Sequence, residues 1–283
     1  MRLTIATWNI NSVRLRLDAV ARFIKSARPD VLCLQETKCP DDKFPLKRFK
    51  RLGYTHAALN GQKGYHGVVV LARLPFDSFD VQSFCGKTDC RHVSVVLGER
   101  AGLRDPIKVH NFYVPAGGDV PDAAANPKFA HKLAFLDEMR AACGLRCNGS
   151  QRMILVGDLN VAPLEHDVWS HRQMLRVVSH TPLECEKLVG IQDAGGWIDA
   201  PRMLVPQPRK LFTWWSYRSP DWAAADKGRR LDHIWVAPFL ADRVAGVRCS
   251  RTRAAGGGPP TMCRSWPRST WHDSQSERHC QHP

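Results

Sequence analysis

The sequence predicts an α/β fold in which two mostly antiparallel β-sheets pack face to face, with helices on their outer sides. Predicted strands outnumber predicted helices, and the helices recur between the strands along the chain. Polar side chains recur at the points where the strands end. The chain has 283 residues, of which 43% are hydrophobic and 24% charged, and this is enough to bury a sizeable core in one large domain.

Two segments have the apolar spacing of an amphipathic helix. They cover residues 13–26 and 129–143. The apolar positions are Val13, Leu17, Val20, Phe23 and Ile24 in the first segment and Phe129, Leu133, Leu136 and Met139 in the second.

Short apolar or alternating runs predict the strands. These runs are residues 3–8, 31–34, 68–71, 92–97, 107–114, 153–156, 211–218 and 231–236. The run over 153–156 is continuously apolar, which is typical of a strand buried on both faces. Gly157 ends this run, and Pro163 prevents it from resuming.

Two polar side chains follow that buried strand. Asp158 and Asn160 flank Leu159, so period-2 alternation directs the carboxylate and the amide to one side and the leucine to the other. A hydrophobic core does not require such a pair. This arrangement favours a site for a metal, a phosphate or a water molecule.

The net charge of +14 and the pI of about 9.6 restrict the possible partners. The charge is either spread over the surface for solubility or directed at a polyanion, which is nucleic acid or an anionic membrane. Nucleic acid is favoured on the charge alone. No run is long enough to span a membrane, and we expect no signal peptide. The ten cysteines have no Cys-x-x-Cys spacing, and we expect free thiols in a reducing cytoplasm.

The residues at the strand ends have the chemistry of phosphate-ester hydrolysis. Glu36 can bind a hard divalent cation, and Asn9 and Asp158 can complete its ligands. Asp158 can instead orient or deprotonate an attacking water. Asn160 and Tyr113 can donate to phosphate oxygens that gain charge in the transition state.

Each of these residues also has a purely structural interpretation. Asn9 can be a helix N-cap, Glu36 a surface loop residue and Tyr113 a core tyrosine. A carboxylate at Asp232 needs a cationic or imidazole partner, and Arg229 or Arg230 next to it in sequence can be that partner.

Taken together, six stretches resemble the exonuclease III family of DNA repair nucleases, within the endonuclease/exonuclease/phosphatase superfamily. They keep the family's order and lie within residues 1–247. The stretches are Thr7-Trp8-Asn9-Ile10-Asn11-Ser12-Val13-Arg14, Leu34-Gln35-Glu36-Thr37-Lys38, Tyr113-Val114-Pro115, Gly157-Asp158-Leu159-Asn160-Val161-Ala162-Pro163, Phe212-Thr213-Trp214-Trp215 and Arg230-Leu231-Asp232-His233-Ile234-Trp235.

The resemblance implies a four-layer α/β sandwich and a hydrolase that cleaves phosphodiester bonds in double-stranded DNA with Mg²⁺ or Mn²⁺. The activities it implies are 3′-to-5′ exonuclease, endonuclease cleavage at abasic sites and cleaning of 3′ ends during base excision repair. We expect a cytoplasmic monomer that associates with the nucleoid through DNA and has no membrane partner.

The resemblance also implies roles for individual residues. The metal ligands are Asn9, Glu36, Asp158 and Asn160. The catalytic residues are Tyr113, Asp158, Asn160 and Asp232, where Asp232 orients a catalytic histidine. The DNA-binding residues are Asn11, Lys38, Arg91, Phe212, Trp214 and Trp235.

The chain departs from the family after Gly246. The family ends in a Ser-Asp-His motif on a last core strand, and nothing in residues 247–283 matches it or has a strand pattern. We therefore expect a catalytic domain over 1–247 that lacks its last strand, and a basic, disordered tail over 248–283. The chain as written then lacks a catalytic imidazole, because His233 points to the opposite face of its strand from Asp232.

A translational frameshift explains this tail better than a native extension. The bases that encode Pro-Thr-Met-Cys-Arg-Ser over residues 260–265 can read Asp-His-Val-Pro-Val in the neighbouring frame, which is the kind of ending that the family has. We predict a slip near residues 247–250 and impaired catalysis in this chain. The alternatives are a phosphatase of the same superfamily that acts on small phosphate esters and a catalytically dead DNA-binding remnant.

Overall fold

The computed structural model describes residues 2–142, 145, 147, 151–216, 222–251 and 263–270, and only the backbone at 222, 223, 250, 251 and 263–270. The strands are β1 Arg2–Asn9, β2 Val31–Gln35, β3 His56–Asn60, β4 Val68–Ala72, β5 Ser78–Asp80, β6 His92–Leu97, β7 Ile107–Tyr113, β8 Met153–Asp158, β9 Ile198–Asp199, β10 Trp214–Trp215, β11 Gly228–Arg229, β12 Asp232–Val236, β13 Val247–Arg251 and β14 Cys263–Thr270. The α-helices are α1 Val13–Ala27, α2 Leu46–Arg51, α3 Pro127–Ala141, α4 His171–Met174, α5 Pro182–Gly195, α6 Ala200–Leu204 and α7 Trp222–Ala225.

The strands form two six-stranded sheets and one small two-stranded sheet. The first sheet has the order β13-β14-β1-β2-β4-β3, and the second has the order β5-β6-β7-β8-β12-β9. In the first sheet only β1 and β2 are parallel. In the second sheet only β7 and β8 are parallel. The prediction of two mostly antiparallel sheets is confirmed.

The core divides into layers because alternate side chains of each strand face opposite sides. In β1, Leu3 and Ile5 face the second sheet and belong to the cluster between the two sheets. Ala6 and Trp8 face outward and pack under α1. A third cluster lies between the second sheet and helices α3 and α5. The four-layer α/β sandwich is therefore present, and no described helix has the length and apolar character needed to cross a membrane.

The structure differs from the sequence-based expectation after Gly246. Two strands, β13 and β14, lie in this region, and β14 pairs with β1 and β13 within the first sheet. The expectation that no strand follows residue 247 is wrong for these segments, because pairing uses backbone groups that an apolar pattern does not reveal. Six described cysteines are free, whereas Cys249 is disulfide-bonded, contrary to the expectation of free thiols alone.

Candidate active site

Two parallel strands of the first sheet bring Asn9 and Glu36 to the same edge. Asn9 is the last residue of β1 and is in register with Gln35, the last residue of β2. Glu36 follows directly in the left-handed region, with φ of 52°. This conformation is uncommon for a residue other than glycine. It is consistent with a turn held for a functional reason.

Three strands of the second sheet supply the facing side chains. Tyr113 ends β7 and is in register with Asp158, which ends the parallel strand β8. Asp232 begins the antiparallel strand β12 directly opposite Asp158. The candidate site therefore lies between the two sheets, where the ends of five strands meet.

The side-chain amide of Asn9 joins the carboxylates of the two sheets. Its Nδ2 donates to Oε1 of Glu36 and to Oδ2 of Asp158, both at 2.8 Å. The hydroxyl of Tyr113 donates to the same Oε1 of Glu36 at 2.9 Å. The interpretation of Asn9 as a helix N-cap is thereby excluded, since its amide is used in this bridge and Ser12 is the residue that precedes α1.

The acidic groups of the site have shifted pKa values. Burial favours a raised pKa for Glu36, but hydrogen bonds from Asn9 and Lys38 and the charge of Lys38 outweigh it and hold the pKa below its ordinary value. Burial, together with the negative charge of Glu36, raises the pKa of Asp158 to about 7 despite the hydrogen bond from Asn9. Burial and the charge of Asp158 also raise the pKa of Asp232 well above its ordinary value.

This set of donors fits a hard divalent cation. It offers carboxylate and amide oxygens, the ligands that Mg²⁺ and Mn²⁺ take in proteins. The carboxylates around Asp158 repel each other, and a bound cation would reduce this repulsion. Over the described part of the chain, no three His, Cys, Asp or Glu side chains form a metal cluster, so a metal here would depend on the amide of Asn9 and on water.

Asn160 lies beside Asp158 as the sequence predicts, although β8 ends before it. Its φ of 53° is left-handed, and its backbone N–H donates to Oδ1 of Asp158 at 3.0 Å. Its side-chain amide donates to the carbonyl of Val114 at 2.8 Å. Leu159 points away into the outer core cluster, as expected from the alternation.

Sequence reasoning missed two residues behind Asn160. The Lys132 ammonium donates to the carbonyl of Asn160 at 2.7 Å and pairs with Oε1 of Glu184 at 2.5 Å, with both side chains fully buried. A signal was present, since Lys132 lies three residues after Phe129 on the apolar face of α3.

Lys38 and Arg91, which the resemblance assigns to DNA, lie at the rim of the site and beneath Tyr113, respectively. Lys38 contacts Oε2 of Glu36 at 2.9 Å and donates to Oδ1 of Asn11 at 2.6 Å, at the rim of the site. Arg91 is buried, donates to the carbonyl of Tyr113 at 3.3 Å and lies 5.0 Å from the centre of the Tyr113 ring. Arg91 therefore supports Tyr113, and its guanidinium also pairs with Asp89.

The three aromatic residues assigned to DNA have different environments. Trp214 is partly exposed, and the guanidinium of Arg229 lies 5.2 Å from the centre of its ring. Phe212 is buried against Trp215. Trp235 is fully buried in the outer core cluster. The assignment of Trp235 to DNA is therefore not supported by its position, because β12 directs this ring away from Asp232.

Asp232 lacks a complete set of partners. Oδ1 of its buried carboxylate makes no hydrogen bond to any described residue. Arg230, a possible partner from sequence, instead pairs with Asp167 at 2.8 Å and with Asp199 at 2.7 Å. His233 is buried on the opposite face of β12, with Nε2 2.8 Å from the carbonyl of Val161, as the alternation predicts.

The chain is similar to known proteins over most of its length. The model of the endonuclease/exonuclease/phosphatase family matches residues 6–252. Exodeoxyribonuclease III of Haemophilus influenzae is 30% identical over 256 residues, which cover 85% of this chain and 90% of that protein.

Two solved structures have a similar fold. An AP endonuclease from Archaeoglobus fulgidus aligns with a TM-score of 0.82 and 27% identity, covering 94% of this chain and 98% of its own. The 3′ phosphatase NExo from Neisseria, bound to a product DNA hairpin, aligns with a TM-score of 0.81 and 25% identity, covering 95% of this chain and 100% of its own.

Proposed function

The chain belongs to the endonuclease/exonuclease/phosphatase family and within it to the exodeoxyribonuclease III group, and on this premise we propose that it is a DNA repair nuclease. Its substrate is double-stranded DNA with abasic sites or 3′ ends, and it acts as a cytoplasmic monomer on the nucleoid. The observation that carries the proposal is the amide of Asn9, which holds the carboxylates of Glu36 and Asp158 together between the two sheets.

In the proposed reaction, a water molecule attacks the scissile phosphorus and the P–O bond to the leaving oxygen breaks. Asp158 lies between the two sheets, and its carboxylate can accept the proton of this water. Asn160 and Tyr113 donate to the phosphate oxygens that gain charge. Asn9 and Glu36, with Asp158 and Asn160, would hold Mg²⁺ or Mn²⁺, which supplies Lewis-acid polarisation of the phosphate when bound.

We further propose that this polypeptide is catalytically impaired. Oδ1 of Asp232, which bonds to no described residue, is the place where an imidazole partner belongs, and the frameshift near residues 247–250 would have removed that imidazole from the chain. The catalytic domain in its correct frame then extends over 1–247, and residues 248–283, which include the β14 segment that pairs with β1, are translated in the wrong frame. Loss of an acid–base partner typically lowers the rate by about 10²–10⁴-fold.

One experiment tests the activity. A labelled duplex with one abasic site, and a second with a recessed 3′ end, are incubated with the purified chain in Mg²⁺, in Mn²⁺ or in EDTA. We expect slow, metal-dependent cleavage that Asp158→Asn abolishes, whereas Lys187→Gln, at a half-buried position of α5 outside the candidate site, leaves it unchanged. Cleavage at equal rates in EDTA and in metal contradicts the proposal.

A second experiment tests the impairment. The gene is resequenced over the codons for residues 246–260, and a frame-restored chain is compared with the 283-residue chain on the same duplexes. We expect the restored chain to cleave about 10²–10⁴-fold faster. Equal rates exclude the frameshift as a cause of impairment. Salt-dependent DNA binding without cleavage by either chain identifies a DNA-binding remnant instead.

A further inference from the structure

A cleft of about 350 Å³ lies at the end of the first sheet remote from the candidate active site. Its charged lining consists of Lys25, Arg28, Arg51 and Arg73, and its apolar lining includes Ile24 and Tyr54. Ligand sites for small molecules begin at about 300 Å³, so the cleft has room for a small ligand.

The cleft and the candidate active site are at opposite ends of the same elements. Helix α1 begins at Val13, close to Asn9, and Arg28 caps its other end after 15 residues, which is about 22 Å at 1.5 Å per residue. Arg73 likewise follows β4, next to the beginning of β2, and its N–H donates to the carbonyl of Asp30 at 3.0 Å. A ligand in the cleft is therefore separate from one at Glu36.

The four cationic groups come from three segments and have no acidic partner. No ion pair within 4.0 Å is present for any of them among the residues that the structure describes. The carboxylate of Asp30 is outside the lining and accepts a hydrogen bond from the N–H of Thr4 at 2.8 Å.

The helix ends near the cleft offset only part of this charge. The C-terminal ends of α1 and α2 each carry about −0.5 of an elementary charge, and the carboxylate of Asp30, which acts on Tyr54, adds a further negative charge, so the net charge is roughly +2. The four side chains are exposed, so water and salt screen part of their mutual repulsion, and an anion in the cleft would remove the rest.

The base of the cleft is apolar. Ile24 and Tyr54 are 4% and 1% exposed, and the hydroxyl of Tyr54 is already bonded to the carbonyl of Pro29. A cationic rim over an apolar base suits an anionic group attached to a flat, weakly polar body.

We propose that this cleft binds a phosphate monoester, and that a 5′-mononucleotide is the form that its size and apolar base fit. The guanidinium groups of Arg51 and Arg73 bind the phosphate oxygens, and the base lies against the partly exposed side chain of Leu52. This inference does not depend on the proposed catalytic function, because the cleft shares no residue with the candidate active site.

The test is isothermal titration calorimetry on the full chain at low salt, with EDTA to keep metal from the candidate active site. The probes are dAMP, inorganic phosphate and deoxyadenosine. The variant Arg51→Gln/Arg73→Gln removes two charges from the cleft, and Arg51→Lys/Arg73→Lys retains them. The matched control Arg22→Gln/Lys47→Gln removes two exposed charges from α1 and α2 outside the cleft.

We expect dAMP to bind saturably and deoxyadenosine not to bind. The glutamine variant at the cleft should bind dAMP at least about tenfold more weakly than the parent chain. The lysine variant should lose less affinity, and the matched control should lose less than about twofold. Equal affinities for dAMP and inorganic phosphate support a site for phosphate alone. Absence of saturable binding by both anions, or equal weakening in the cleft variant and the matched control, overturns the proposal.

Discussion

The buried ammonium group of Lys132 donates a hydrogen bond of 2.7 Å to the backbone carbonyl of Asn160. The lysine belongs to α3, and its ion-pair partner Glu184 belongs to α5. Glu184 also accepts from the N–H of Ser179 at 2.9 Å and from the hydroxyl of Thr181 at 2.7 Å. The left-handed turn at Asn160 is therefore held by a charged network that spans two helices of the outer layer.

Removal of Lys132 should destabilise the protein strongly. In Lys132→Met the carboxylate of Glu184 remains buried without its cation, which typically costs about 3–5 kcal/mol. Urea denaturation followed by circular dichroism measures this cost. The matched control is Lys187→Met, since Lys187 also contacts an aspartate, Asp137, at 2.5 Å but at the surface, and a surface pair contributes about 0–1 kcal/mol. Equal costs in the two variants would contradict the role given to the buried pair.

Gly157 cannot be replaced without moving a strand. Its φ is +147°, and a Cβ at this position would lie 1.9 Å from the carbonyl oxygen of Phe112 on β7. Gly157→Ala must therefore separate β7 from β8 at the point where Tyr113 and Asp158 face the site. We expect a loss of about 3 kcal/mol or more in unfolding free energy.

Gly190→Ala is the matched control for this variant. Gly190 lies inside α5, and the nearest contact of an added Cβ would be the side chain of Arg140 at 3.5 Å, an ordinary distance. Alanine is favoured over glycine in a helix by about 1 kcal/mol. In urea denaturation, Gly190→Ala should therefore be at least as stable as the parent chain, and Gly157→Ala should unfold at a lower urea concentration. Equal urea midpoints for the two variants would exclude the steric argument.

The sequence allowed prediction of the site because the polar residues follow apolar strands. Asn9, Glu36, Tyr113 and Asp158 each end or follow a strand that is identified by its apolar side chains, and parallel neighbours place these ends together. The burial of Trp235 was also predictable, because an odd spacing from Asp232 directs the two side chains to opposite faces.

Other features were not predictable from local patterns. Strand β14 joins the first sheet through backbone pairing with β1 and β13, and its side chains carry no apolar alternation. By contrast, the beginning of helix α5 was predictable, because Thr181 and Glu184 form a capping box whose Thr-x-x-Glu spacing is a local signal. The link from Glu184 to Lys132 spans 52 residues and depends on tertiary packing alone.

Substitution of Trp235 and substitution of Trp214 should have different effects, one on stability and the other on DNA binding. Trp235→Ala removes a fully buried ring and should cost about 3–5 kcal/mol in stability. Trp214→Ala removes a partly exposed ring and should weaken duplex binding, since stacking on a base contributes about 1–3 kcal/mol. Urea denaturation and fluorescence anisotropy with a labelled abasic duplex measure the two effects. Weaker DNA binding by Trp235→Ala at unchanged stability would restore the original assignment of this ring.

A buried histidine should make the fold sensitive to acid. Burial lowers the pKa of His92 from 6.5 to about 3, and its Nε2 lies 3.0 Å from Nδ1 of His110. Because the unfolded chain takes up a proton near pH 6.5 and the folded chain does not, stability from this group is complete above pH 6.5 and is lost as the pH falls toward 3. The loss is about 1.4 kcal/mol per pH unit in that window.

The variant His92→Gln removes this titration and keeps an amide that can donate to His110. The unfolding free energy, measured in urea between pH 7 and pH 5, should fall less steeply with pH for His92→Gln than for the parent chain. The difference in slope should correspond to about one proton taken up on unfolding. The slope is the decisive quantity, since the substitution also changes stability at neutral pH through packing against Phe84 and Phe112. Identical slopes for the two chains would show that His92 is protonated in the folded state or that it does not limit acid stability.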